Sequence, residues 1–116
     1  MYSLQPTDEY SKRLRKWPKK HRRELLAMLN NLDTVVKALN KGARRSSLQF
    51  GFLHNEPMSI KAVDQKGGGA GLRECRLYFL VEEERETVYL LTMGDKSTQQ
   101  DDIDTCKELV GSLTHG

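Results

Sequence analysis

Arg76, Tyr78 and Lys96 stand in the last third of the chain, where their types and spacing suit work on a phosphate. Arg76 opens an apolar run through Val81, and Lys96 follows a second run, Val88 to Met93, in the segment Gly94, Asp95, Lys96, Ser97, Thr98, Gln99. Cations gathered at the end of a small sheet can hold and cleave a nucleic-acid backbone without metal or cofactor. When RNA is cut by its own 2′-hydroxyl, one group must take that proton, cations must steady the charged phosphorane, and a donor must serve the departing 5′-oxygen. Lysine and arginine supply the last two. For the first, His54 is the candidate, since imidazole titrates near neutrality and Glu56 is close in sequence. Its plainer reading is a surface histidine in a loop beside Pro57.

These side chains need a frame, and the pattern predicts one. The runs Arg76 to Val81 and Val88 to Met93 are rich in β-favouring residues, with the polar stretch Glu82 to Glu86 between them, so they read as a β-hairpin. Arg76 and Tyr78 share side-chain parity and can face one substrate, while Leu77 and Phe79 face the core. Ser97, with Gln100 three residues on and Asp101 and Asp102 behind, predicts a capped helix start. Ile103, Cys106, Val110 and Leu113 give that helix one apolar face.

The first half predicts a short strand at Tyr2 and Leu4, a helix capped by Thr7, and a second helix from Pro18 to Gly42 carrying Leu25, Met28, Leu29, Leu32, Val35, Val36 and Leu39. Between halves, Leu48, Phe50 and Phe52 alternate, but Gly51 and Pro57 predict loop there. Ile60, Ala62 and Val63 predict the next strand, with Lys61 on its opposite side. The run Gly67 to Gly71 lacks the Lys-Ser/Thr ending and following helix of a P-loop and reads as a flexible connector. Helices before a sheet, without strand-helix-strand alternation, predict an α+β layer.

Composition sets the bounds. The 116 residues suit one domain, residues 1–116, and 37% apolar with 30% charged residues is ordinary for a globular protein. The net charge is only +3, yet Lys12, Arg13, Arg15, Lys16, Lys19, Lys20, Arg22 and Arg23 lie together, which suits a polyanion or an acidic partner, or a solvated helix face. No run is long and apolar enough for a membrane span, and the start lacks the order of a signal peptide, so a cytoplasmic protein is expected. Cys75 and Cys106 have no metal-like spacing and read as reduced, packed thiols.

The segment from Arg76 through Leu90 and Leu91 to Gly94, Asp95, Lys96, Ser97, Thr98, Gln99 and on to Asp102, Ile103 resembles the carboxy-terminal half of RelE/HigB/ParE toxins of type II toxin–antitoxin systems. More narrowly, it is similar to the addiction-module killer branch, with its Arg-Val-Tyr-Phe-like strand and Gly-Asp-Lys-Ser-Thr-Gln motif. The resemblance covers roughly the last forty residues and is architectural before that. It implies a short amino-terminal strand, an αα-hairpin, a small antiparallel sheet and a carboxy-terminal helix. It also implies a metal-independent messenger endoribonuclease, without cofactor, that inhibits translation by acting on ribosome-bound message, and a cognate antitoxin protein that covers its basic face. By it, Arg76 binds the scissile phosphate, Lys96 binds phosphate or donates a proton, and Tyr78 stacks on a base or orients the phosphate. Arg73, Lys61 and Lys66 are expected as further RNA-binding cations.

The chain departs from the family where an earlier Glu-Leu-Arg-like strand is usual. Here Lys61 occupies that strand and Arg73 and Glu74 fall toward the next, which leaves the proton acceptor open, with His54 as its candidate. Two other function classes stay in view: a ParE-type gyrase poison, because one frame hosts both activities, and a non-catalytic module that binds nucleic acid or an antitoxin. Arg73 and Arg76 would then merely pair with nearby glutamates, and Lys96 would be a solvated turn residue.

Overall fold

A computed structural model describes the backbone of residues 1–115 and the side chains of residues 1–113. The elements run β1 (Ser3–Pro6), α1 (Asp8–Arg15), α2 (Arg22–Asn40), β2 (Leu53–Asn55), β3 (Lys61–Asp64), β4 (Cys75–Glu82), β5 (Thr87–Asp95) and α3 (Gln99–His115). They build the α+β layer that the pattern predicts. The five strands form one sheet in the order β1-β5-β4-β3-β2, antiparallel throughout except that β1 lies parallel to β5.

The sheet is covered on both faces. Met28, Leu32, Val35 and Leu39 of α2 bury against Val63, Leu77, Phe79, Val81 and Met93, while Ile103, Cys106 and Val110 of α3 bury against Ile60, Ala62, Tyr78, Leu80 and Leu91. Each fully buried large side chain contributes roughly 1.5–3 kcal/mol of transfer free energy. Double coverage explains why β4 is a continuous apolar run rather than an alternating one. Both faces of β4 are therefore core, not the Leu77 and Phe79 face alone.

A bulge adjusts the central hairpin. Tyr78 pairs with Thr92 but Phe79 with Leu90, so Leu91 is the extra residue and both Leu91 and Thr92 turn to the α3 side. Thr7 meets the bulge: its hydroxyl lies 2.8 Å from the Leu90 carbonyl and 2.9 Å from that of Leu91 while it accepts from the Tyr10 N–H that it caps.

Three local expectations change. A short strand, β2, replaces the end of the predicted loop, pairing His54 with Ala62 at the sheet edge. The glycine segment is packed rather than a free connector, because a Cβ on Gly68 would stand 2.6 Å from Ala27 Cβ, and Asn31 of α2 donates to the Asp64 and Lys66 carbonyls, each at 2.9 Å. The cap before α3 is Asp95 rather than Ser97. Its carboxylate accepts from the Ser97 N–H at 2.9 Å and starts a single helical turn, Lys96–Thr98, that leads into α3. Both cysteines are free and buried, and among the described residues no helix is long and apolar enough to cross a membrane.

Candidate functional site

The polar side chains gather at one end of the sheet's α3 face. On the α3 side, Arg76 of β4 pairs in register with Asp64 of β3, and the neighbouring pair Tyr78 and Ala62 continues to His54 on β2. Strand parity therefore brings His54, Asp64 and Arg76 to one corner of one face.

Asp64 organises that corner. Its buried carboxylate accepts from His54 Nε2 at 2.7 Å and from the Lys66 N–H at 2.8 Å, and the Lys66 ammonium lies 3.7 Å away, shared with the Gly51 carbonyl at 2.9 Å. With Nε2 engaged, Nδ1 is the imidazole nitrogen left to exchange a proton. Arg76 Nη1 meets Glu56 Oε2 at 3.3 Å, both side chains being mostly buried, at 17% and 12% exposed. Arg76 Nε is buried without a partner among the described atoms. The corner thus holds a carboxylate-oriented imidazole, a guanidinium, an exposed ammonium and a carboxylate, which can bind an oxyanion and move a proton.

The predicted trio of Arg76, Tyr78 and Lys96 is not assembled. Tyr78 is a correction: it lies fully buried among Leu80, Leu91 and Cys106, where burial, with Asp102 second, pushes its phenol well above the ordinary range. It shares Arg76's face as parity required, but it is buried under α3, so no base can stack on it. Lys96 is 78% exposed and stands 3.7 Å from Glu74, in an ion pair separate from that of Arg76.

Lys61 is a second correction. It points to the opposite face, in register with Phe79, and is buried with its ammonium 2.6 Å from Asn55 Oδ1. Burial, aided by Arg45, depresses its pKa, so it is a structural cation rather than an RNA contact. Arg73 is exposed, 3.3 Å from Asp95, and Lys66 is the predicted cation that does reach the corner. Asp64 went unrecognised in sequence; an acid closing an apolar strand, two residues before Lys66, is the signal that marks it.

The Gly-Asp-Lys-Ser-Thr-Gln segment is chiefly architectural. Thr98 Oγ1 donates to Asp102 Oδ2 at 2.7 Å, and Arg13 reaches across from α1 to donate to Asp102 Oδ1 at 3.0 Å and to the Met93 carbonyl at 2.7 Å. Arg13 is thereby withdrawn from the basic cluster. The rest of that cluster, Lys12, Arg15, Lys16, Lys19, Lys20, Arg22 and Arg23, is exposed at the α1–α2 turn. None of these has a carboxylate within ion-pair distance among the described residues. Comparison with protein families, with curated proteins and with solved structures finds no match to this chain.

Proposed function

We propose that this chain is the toxin of a type II toxin–antitoxin pair, a cytoplasmic endoribonuclease that cuts messenger RNA by attack of the RNA's own 2′-hydroxyl. The observation that carries the chemistry is the 2.7 Å contact between His54 Nε2 and Asp64 Oδ2, beside Arg76. The resemblance of the terminal segment supports the biological setting, and the exposed cations of the α1–α2 turn, with no carboxylate beside them among the described residues, are a second support for a polyanionic partner.

In this reading Asp64 holds the His54 ring while Nδ1 takes the 2′-hydroxyl proton. Arg76 and Lys66 steady the phosphorane, and Lys66, solvent-exposed, protonates the 5′-oxygen as it leaves. The products are a 2′,3′-cyclic phosphate and a 5′-hydroxyl. Arg73 and Lys96, exposed and outside the reacting corner, are taken as contacts to the flanking backbone. The antitoxin is expected to lay an acidic or amphipathic segment over this face.

Induced expression tests the proposal. Growth should stop and messages should acquire new 5′-hydroxyl ends, and both effects should be lost in His54→Ala and Arg76→Ala. Arrest with a DNA-damage response and intact messages would replace it with the gyrase reading. Soluble expression without any arrest would leave a binding module.

A further inference from the structure

Arg76 is held in an unfinished way. Among the described residues Glu56 touches only Nη1, in a single contact of 3.3 Å, while Nε is buried with no partner. A well-seated guanidinium pairs through two parallel bonds, and a buried donor left unmade is costly. A phosphate, with several acceptor oxygens, can span Nη1 and Nη2 where this carboxylate engages Nη1 alone.

The segment that delivers Glu56 is itself strained. It closes through Glu56 N–H to the Ile60 carbonyl at 2.8 Å and Ile60 N–H to the Pro57 carbonyl at 3.2 Å. Within that loop Met58 (φ 61°, ψ 34°) and Ser59 (φ 63°) are consecutive non-glycine residues in the left-handed region. Met58 is 51% exposed, so little packing of its side chain offsets the strain. The segment is bounded by Asn55, paired with Lys61 in the sheet, and by Ile60, fully buried under α3. Only residues 56–59 need move for Glu56 to leave.

We propose that Glu56 is an exchangeable internal ligand of Arg76, a carboxylate that occupies the phosphate position in the free protein and is displaced when a phosphodiester arrives. The inference rests on the reading of Arg76 as the phosphate site. Because one anion replaces another, the guanidinium is never left buried and unpaired, which keeps the exchange within reach. The left-handed turn relaxes as it opens.

The probe is a short 2′-O-methyl RNA, which binds but lacks the nucleophile for cleavage, followed by fluorescence anisotropy at fixed salt. Glu56→Gln should bind about tenfold tighter than wild type, and the gain should vanish when Arg76→Ala is added. Glu108→Gln, the same charge change on the exposed side of α3, should give no such gain. In the unmutated protein, the Glu56 and Ile60 amides should exchange with deuterium faster once the oligonucleotide is bound, a readout that needs no variant to fold. Equal affinities for the two glutamine variants, a gain that survives without Arg76, unchanged amide protection, or no binding by any form would each overturn the exchange. Unmodified RNA left uncut despite the full gain would sink the nuclease reading alone, whereas cut RNA without the gain would sink only the exchange.

Discussion

Asp102 fills the space that a side chain on Gly94 would need: a Cβ built there collides with the Asp102 carboxylate and with Thr98 Oγ1. Gly94 is the window through which the first turn of α3 reaches the edge of β5, where Arg13 meets it from α1. Three elements are stapled through one missing methyl group.

Gly94→Ala should therefore destabilise the fold by about 1–3 kcal/mol, the usual cost of overpacking a site whose neighbours cannot swing aside. Both neighbours are pinned, Asp102 by Arg13 and Thr98 by Asp102. Urea unfolding of wild type and variant measures the difference, and an unchanged midpoint would show that the carboxylate yields freely.

Arg13→Met should cost about 3 kcal/mol at neutral pH, because it strands a buried carboxylate, with the low end expected since the Arg13 side chain is partly solvated. Burial raises the Asp102 pKa, against the opposing pull of Thr98 and Arg13. The native state therefore binds its proton more tightly than the unfolded chain, and this group's contribution is best below the ordinary aspartate pKa and worsens as pH rises through the native value. The deficit of Arg13→Met should shrink as pH falls through that window. Thermal unfolding at several pH values checks it.

Lys61→Met should be neutral or stabilising by up to about 2 kcal/mol, since a buried ammonium is exchanged for an apolar chain of similar length. The depressed pKa of Lys61 means that the unfolded chain binds the extra proton between the native value and the ordinary lysine pKa. Wild-type stability should gain a component that rises with pH across that interval, and the variant should lack it. RNA cleavage should persist, which a phosphate-binding lysine would not allow.

On the proposed nuclease reading, His54→Ala should lower cleavage by about 10²–10⁴-fold, the range for a positioned general base. Asp64→Asn should fall between that and wild type, because it misorients the imidazole without removing it. Arg76→Ala should also be severely impaired, and Lys96→Ala only mildly. Tyr78→Phe should cleave normally, its hydroxyl being out of reach of any substrate. Initial rates on a defined RNA separate these cases, and a large defect in Tyr78→Phe would restore the tyrosine to the site.

Much of the frame was legible in the chain itself. The Thr7 cap, the α2 stripe from Met28 to Leu39, the β4–β5 hairpin and the Ile103, Cys106, Val110 face all depend on residues a few positions apart, and hydrophobic period and capping are properties of such neighbours. Motif and parity also placed Arg76 and Tyr78 on one face. What parity could not say is that packing under α3 would bury Tyr78 completely and leave Arg76 partly exposed.

The site was decided at longer range. His54 meets Asp64 across 10 residues, Arg76 meets Glu56 across 20, and Arg13 meets Asp102 across 89. No local pattern encodes these pairings. They follow from strand register, from the bulge at Leu91, and from which helix covers which part of the sheet, so the residue types announced a chemistry while only the folded chain chose the side chains free to perform it.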